Sequence, residues 1–127
     1  MTPTDRSRVI RFTEAQARIP GPAGEHFATL VERGTLTAKL SLGHFAPRPN
    51  QQTPHRQDEL YVIVRGRGVL WHDGRRDPFE AGDLLFVAAG TEHHFEEFSD
   101  DLAVWVLFYG AEGGEIPQAP AFAEMSQ

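Results

Sequence analysis

Short apolar runs interrupted by polar residues recur along this chain, and they predict strands rather than helices. Residues 36–42 alternate between apolar and polar positions, which is typical of a strand with one buried face. Residues 59–64, 84–87 and 102–109 are mainly apolar, and 102–109 is predicted to be a central strand buried on both faces. No segment has a helical period, and strands at about 8–12 residue spacing predict an all-β sandwich or barrel.

Turn residues separate these runs. His72-Asp73-Gly74-Arg75 predicts a tight hairpin, and residues 65–68 predict a second reversal. Residues 9–12 are predicted to form a short strand, whereas 13–24 contains two glycines and two prolines and predicts a loop. Residues 26–31 fit either a strand or a helical turn.

Length and charge are those of one ordinary domain. The chain has 127 residues and a net charge of -6, which argues against a nucleic-acid partner or an anionic membrane surface. No run approaches the ~18 apolar residues that span a bilayer, and residues 1–10 contain no hydrophobic signal region, so we expect a cytoplasmic protein. The predicted division is an N-terminal arm with strands (1–35), a β-barrel (36–109) and a C-terminal tail (110–127).

Three potential metal ligands, His55, Glu59 and His93, lie at fixed distances from turn-forming glycines. Because side chains two apart share a face of a strand, His55 and Glu59 share one face. Antiparallel neighbours in a small barrel could then bring both to His93. The chain has no cysteine, so only imidazole, carboxylate or neutral oxygen ligands are available. The two segments are Pro54-His55-x3-Glu59-x6-Gly66 and Gly82-x5-Ala88-x-Gly90-x2-His93.

These segments resemble the two conserved motifs of the cupin superfamily, Gly-x5-His-x-His-x3-4-Glu-x6-Gly and Gly-x5-Pro-x-Gly-x2-His-x3-Asn. The resemblance covers about residues 36–109 and implies a double-stranded β-helix, or jelly roll, with one metal ion bound inside one end. The chain departs from the first motif at Thr53, where the family has its first histidine, and at Pro47, where the motif opens with glycine. In the second motif the departures are Ala88 for proline and Glu97 for asparagine.

The resemblance implies one divalent metal ion per chain. Without the first histidine, the remaining ligands are His55, Glu59 and His93, a set that suits Fe(II) and leaves open coordination positions. Manganese, nickel and zinc are alternatives. Gln52 is the candidate fourth ligand, and Gln51 or water could take its place.

Other side chains have weaker signals. In some metal-dependent lyases of the family a tyrosine near Tyr61 acts as a base, so Tyr61 is the candidate catalytic residue, with core packing as the alternative. His94 is expected to point away from His93 and to lie at the surface. His72, beside a turn, is expected to be exposed. Arg48 and Arg56 could hold an anionic substrate or could simply be solvated.

Three classes of function fit these features. A metal-dependent enzyme acting on a small organic molecule leads, either as a dioxygenase-like oxidoreductase or as an isomerase or lyase. A non-catalytic small-ligand-binding protein and an interaction protein are the other two. We also expect a homodimer, with segments 9–12 and 102–109 offering strand edges for pairing.

Overall fold

The computed structural model describes residues 6–21, 26–43 and 56–117. Within these ranges the chain forms one short helix and eight strands. The predicted strands at 36–42, 59–64, 84–87 and 102–109 are confirmed to within two residues at each end, and 26–31 proves to be strand rather than helix. The elements are α1 (Phe12–Gln16), β1 (Phe27–Arg33), β2 (Leu36–Leu42), β3 (Asp58–Arg65), β4 (Arg67–His72), β5 (Arg75–Glu80), β6 (Leu84–Val87), β7 (His93–Glu96) and β8 (Ala103–Tyr109).

The strands form two antiparallel sheets that enclose a core. One sheet has five strands in the order β1-β2-β8-β3-β6, and the other has three in the order β5-β4-β7. The predicted hairpin at Asp73-Gly74 joins β4 to β5. The core between the sheets draws on both of them; its buried members include Tyr61, Ile63, Leu70, Phe79, Val87, Phe95, Leu102 and Val104.

Strand β8 is central, as predicted, because it pairs with β2 on one side and β3 on the other. The expectation that residues 102–109 offer a free edge to a second copy is therefore wrong. Both rows of backbone hydrogen-bonding groups of β8 are already used within the five-stranded sheet.

The N-terminal prediction is also wrong. Residues 9–12 are not a strand, and the predicted loop at 13–24 begins with helix α1, which starts at Phe12. Ala15 is fully buried against Leu30 and Leu40, and the Phe12 ring meets the edge of Trp105 at 6.3 Å. A five-residue helix is too short to show a period in the sequence, and such a helix is held by packing rather than by intrinsic propensity.

Helix α1 determines which face of β2 points outward. Leu40 pairs with Trp105 and packs beneath α1, on the face of the sheet away from the barrel interior. Lys39 pairs with Val106, which belongs to the interior core. The apolar positions of β2 therefore face outward to the helix, and its polar positions, Thr37, Lys39 and Ser41, face the interior.

A single residue, Gly66, carries the chain from β3 in one sheet to β4 in the other. Its φ is +89°, and a Cβ there would lie 2.8 Å from Leu102 Cα and 2.7 Å from Ser99 Oγ. Glycine is required at this position for both reasons. In the described ranges, no helix is long and apolar enough to cross a membrane.

Candidate metal centre

Strand β3 supplies two of the candidate site residues, Glu59 and Tyr61. Burial alternates along the strand, so Glu59, Tyr61 and Ile63 face the interior while Leu60 and Val62 face outward. Glu59 is 3% exposed and Tyr61 is 1% exposed. The predicted common face of His55 and Glu59 stays a prediction, because His55 lies outside the described residues.

His93 is the first residue of β7 and is 2% exposed. Because β7 belongs to the three-stranded sheet, His93 faces Glu59 across the interior. The expectation that antiparallel neighbours bring these residues together is therefore wrong. Glu97 does not share the interior face of His93, since it has a φ of 49° and its exposed carboxylate pairs with Arg76 on the outer surface.

The His93 imidazole connects three groups. Its Nδ1 lies 2.9 Å from the Thr91 carbonyl oxygen and donates to it. Its Nε2 lies 3.2 Å from Glu59 Oε1 and 3.2 Å from the Tyr61 hydroxyl. Because the N–H on Nδ1 is committed to a carbonyl, the neutral ring presents a lone pair at Nε2, which is the tautomer that a metal-ligating histidine requires.

This geometry brings two acceptor atoms together. With the proton on Nδ1, Nε2 accepts from the Tyr61 hydroxyl and has no hydrogen for Glu59 Oε1. The Nε2–Oε1 contact is favourable with a second proton on the ring, with a proton on the Glu59 carboxyl group or with a cation between the two atoms, because a buried carboxylate is costly without a positive partner.

The spacing fits a metal ion. Nitrogen and oxygen ligands bind transition metals at about 2.0–2.2 Å, so ligands in adjacent octahedral positions lie roughly 3 Å apart. The observed separation of Nε2 and Oε1 is 3.2 Å. Glu59 and His93 therefore fit two neighbouring coordination positions, and the carbonyl of Thr91 supplies the outer hydrogen bond that orients the ring.

Two members of the predicted ligand set, His55 and Gln52, lie outside the described residues, as do the alternatives Gln51 and Thr53. Among the described residues, no group of three or more His, Cys, Asp or Glu side chains could hold a metal. The structure thus brings together Glu59, His93 and Tyr61, and the ligand roles of His55 and Gln52 stay predictions.

The expectation that His72 is exposed is wrong. Its side chain is 15% exposed, and Nε2 donates to Asp77 Oδ2 at 2.6 Å. Since His72 pairs in register with His93, both side chains lie on the interior face of the three-stranded sheet. His72 therefore lines the same end of the barrel as the candidate site.

His94 points away from His93, as predicted, onto the outer face of the same sheet. Its ring stacks on Trp71 at 4.9 Å, and its Nε2 donates to Glu96 at 2.9 Å. Hydrogen bonds from His94 and then from Arg76 lower the pKa of the Glu96 carboxyl. Hydrogen bonds to Glu96 and then Glu97 raise the pKa of Arg76. The charges of this outer cluster are thus paired locally.

Arg56 does not face the interior. It forms an exposed ion pair with Glu112 at 3.1 Å, so the solvated interpretation of this arginine holds, while Arg48 lies outside the described residues.

Sequence reasoning missed two interior polar residues, Lys39 and His72. Strand alternation places Lys39 opposite the leucines of β2, but only the packing of α1 shows which face is interior.

Two antiparallel sheets with a carboxylate and an imidazole facing each other inside one end define a jelly-roll barrel with an internal polar site. The sequence profile of the cupin domain family matches residues 42–109, which is more than half of the chain. The chain belongs to this family, and the predicted all-β jelly-roll class is confirmed.

Individual proteins are similar to this chain in sequence or in fold. An uncharacterized protein of Streptomyces coelicolor is 31% identical over 101 residues, which cover 80% of this chain and 94% of that protein. A putative mannose-6-phosphate isomerase from Ralstonia eutropha has a TM-score of 0.60 at 24% identity, covering 75% of this chain and 94% of that one. A Cupin 2 conserved barrel domain protein from Salinispora arenicola has a TM-score of 0.58 at 18% identity, and the match covers 84% of this chain and 92% of that protein. Identities this low in the two structures relate folds, not activities.

Proposed function

We propose that this protein is a mononuclear metal-dependent enzyme, a dioxygenase-like oxidoreductase that acts on a small organic molecule. The observation that carries the proposal is the orientation of His93, whose Nδ1 donates to Thr91 while Nε2 faces Glu59 Oε1 at 3.2 Å. A buried imidazole and carboxylate held in this way are suited to a divalent cation.

Glu59 and His93 would hold the ion, joined by His55 and Gln52 if the predicted set is complete. Fe(II) is favoured by two histidines and one carboxylate, with manganese, nickel or zinc as alternatives. When bound, such an ion offers open positions to a chelating substrate and to O₂ or polarises a carbonyl. The chain itself excludes bulk water, because Glu59, Tyr61 and His93 are buried among core residues.

A second candidate, isomerase or lyase chemistry, is favoured by Tyr61. Its hydroxyl lies 3.2 Å from His93 Nε2 and is buried, so a proton can be held and moved at this oxygen. Proton transfer beside a polarised carbonyl is the step that such reactions need. One structural relative bears the name of a putative isomerase, which agrees with this alternative without deciding it.

Metal content is the first test. Untagged protein is purified anaerobically without chelator and measured by inductively coupled plasma mass spectrometry, with His93→Ala in parallel. We expect close to one transition-metal ion per wild-type chain and little in the variant. No metal, even after incubation with iron, manganese, nickel and zinc in turn, would contradict the proposal.

The reaction class is tested with the loaded protein and a low-molecular-mass metabolite fraction, followed by mass spectrometry in air and under argon. Loss of a metabolite in air alone supports the oxidoreductase. Loss under argon as well supports the isomerase or lyase. A metabolite that is retained by the protein but not converted would identify a binding protein instead.

A further inference from the structure

Lys39 is the only lysine of the chain, and it faces the interior of the barrel. It pairs in register with Val106 on β8, and Val106 pairs with Tyr61 on β3. Directly paired residues of a sheet project from the same face, so Lys39, Val106 and Tyr61 form one row on the face that also includes Glu59.

Two aromatic rings hold the Lys39 ammonium. Its Nζ lies 5.2 Å from the ring centre of Phe27 and 5.8 Å from that of Phe108. Phe108 is the register partner of Glu59. Since β2 and β3 are separated only by β8, the backbones that bear Lys39 and the candidate site are about 10 Å apart. A small molecule can bridge that distance.

The charge of Lys39 is not neutralised within the described part of the chain. Arg56 and Arg76 have carboxylate partners there, whereas Lys39 forms no ion pair. The rings of Phe27 and Phe108 favour the cation without consuming its N–H donors. A half-buried ammonium that forms no ion pair with any described residue is suited to receive an anion from a ligand.

We propose that Lys39 binds a carboxylate of the substrate, whose other end lies at Glu59 and His93. A single ammonium balances one negative charge, which favours a carboxylate over a doubly charged phosphate. The inference rests on the proposed function and deepens it, because it specifies an organic acid with a second, metal-binding group. Lys39 is then a residue that positions the substrate and selects for its charge.

The single lysine provides a direct probe. Protein labelled with ¹³C at lysine Cε gives one lysine resonance, that of Lys39. The zinc-loaded full chain is titrated with 2-oxoglutarate and, separately, with 2-oxovalerate, which share the chelating 2-oxo acid and differ only in a distal carboxylate. We expect the resonance to shift to saturation with 2-oxoglutarate and to stay in place with 2-oxovalerate. No shift with either compound, or equal shifts with both, would overturn the proposal.

Calorimetry on variants gives a second measure. Wild-type protein should bind 2-oxoglutarate about tenfold more tightly than 2-oxovalerate, the value of one charge-assisted hydrogen bond. Lys39→Gln should abolish this preference, and Lys39→Arg should retain most of it. Arg33→Gln, which removes an exposed positive charge at the end of β1, is the matched control and should leave the preference intact. A preference that persists in Lys39→Gln would overturn the proposal.

Failure of the metal site is distinguishable from failure at Lys39. If the chain binds none of iron, manganese, nickel and zinc, the proposed function fails, and the same resonance is followed in metal-free protein during titration with glutarate. A saturating shift then supports carboxylate binding at Lys39 without the metal. An unmoved resonance overturns it.

Discussion

Nε2 of His93 and Oε1 of Glu59 lie 3.2 Å apart, although the two residues belong to different sheets. Neither strand alone creates the site, because each contributes one of these two atoms from its interior face. The separation of these two atoms is set by how the sheets pack, so packing between the sheets would also control the affinity for the proposed cation.

His93→Ala is expected to abolish metal binding and to preserve the fold. Removing a residue that only hydrogen-bonds to a metal ligand reduces metal affinity by about 10–100-fold. Removing the ligand itself should reduce it further. The variant also removes a buried partner from Glu59 and Tyr61, which should lower the free energy of unfolding by about 1–3 kcal/mol. Metal titration and thermal unfolding measure the two effects.

His94→Ala is the matched control, because His94 is the next residue but lies on the opposite face. It should retain metal binding at wild-type affinity. Stoichiometric metal in His93→Ala, or equal losses in the two variants, would show that the candidate site is wrongly assigned.

Tyr61→Phe is expected to separate chemistry from packing. The Tyr61 ring centre lies 4.9 Å from that of Phe95, and phenylalanine keeps this ring, so the loss should be one hydrogen bond, or about 0.5–1.5 kcal/mol of unfolding free energy. If Tyr61 transfers a proton, turnover should fall by about 10²–10⁴-fold while metal content is unchanged. Tyr109→Phe, at the exposed second tyrosine, is the control. Unchanged turnover in Tyr61→Phe would leave Tyr61 as a packing residue.

Glu96 is expected to make stability depend on pH. Hydrogen bonds from His94 and Arg76 hold its pKa below the ordinary value of 4.5 in the folded state. Because the folded-state pKa is the lower one, the stabilising effect is complete above the unfolded pKa and is lost as pH falls through the folded pKa. Glu96→Gln should therefore flatten the dependence of the unfolding midpoint on pH below 4.5.

Thermal unfolding over a range of acidic pH values compares Glu96→Gln with Glu92→Gln, an exposed carboxylate just before β7. The Glu92 variant should follow the wild-type curve. Coincident curves for wild type and Glu96→Gln would refute a role for this cluster in acid stability.

A homodimer remains expected, but through a different surface from segments 9–12 and 102–109. The outer face of β3 and β6 is apolar, and Phe86 is 58% exposed beside a groove of about 330 Å³ lined partly by Leu60, Leu107 and Tyr109. Within the described ranges, strand β6 is an edge strand, and it has no charged residue or proline that would oppose pairing with a second copy.

Phe86→Glu should therefore convert a dimer into a monomer, as measured by light scattering at micromolar concentration. Val9→Glu is the control, since Val9 is equally exposed but lies outside this face. A wild-type monomer would refute the dimer, and a dimeric Phe86→Glu would place the interface elsewhere.

Much of the barrel could be predicted from local signals. Strand alternation and the positions of glycines located Glu59 on β3 and His93 at the start of β7, because these signals depend on only a few neighbouring residues. The hairpin at Asp73-Gly74 was likewise encoded by two residues that adopt positive φ.

What escaped prediction depends on contacts between distant segments. Alternation shows that β2 has two unlike faces, but α1 decides that the leucine face lies outside and Lys39 inside. Glu97 points away from the interior because its φ is positive, and a non-glycine residue gives no sequence signal for that conformation. His72 looked exposed beside its turn, and only the pairing of β4 with β7 places it next to His93.

Asp58 couples the chain beyond β8 to the candidate site. One carboxylate oxygen accepts from the Ala89 N–H at 3.0 Å, and the other accepts from the Glu115 N–H at 3.0 Å. Ala89 belongs to the turn that precedes Thr91, whose carbonyl orients His93. The Asp58 carboxylate joins the two segments by hydrogen bonds. Greater motion of residues 110–115 would therefore increase the motion of the loop that orients the His93 imidazole. In the proposed metalloenzyme, selectivity for one metal over another would thus depend in part on residues that never touch the ion.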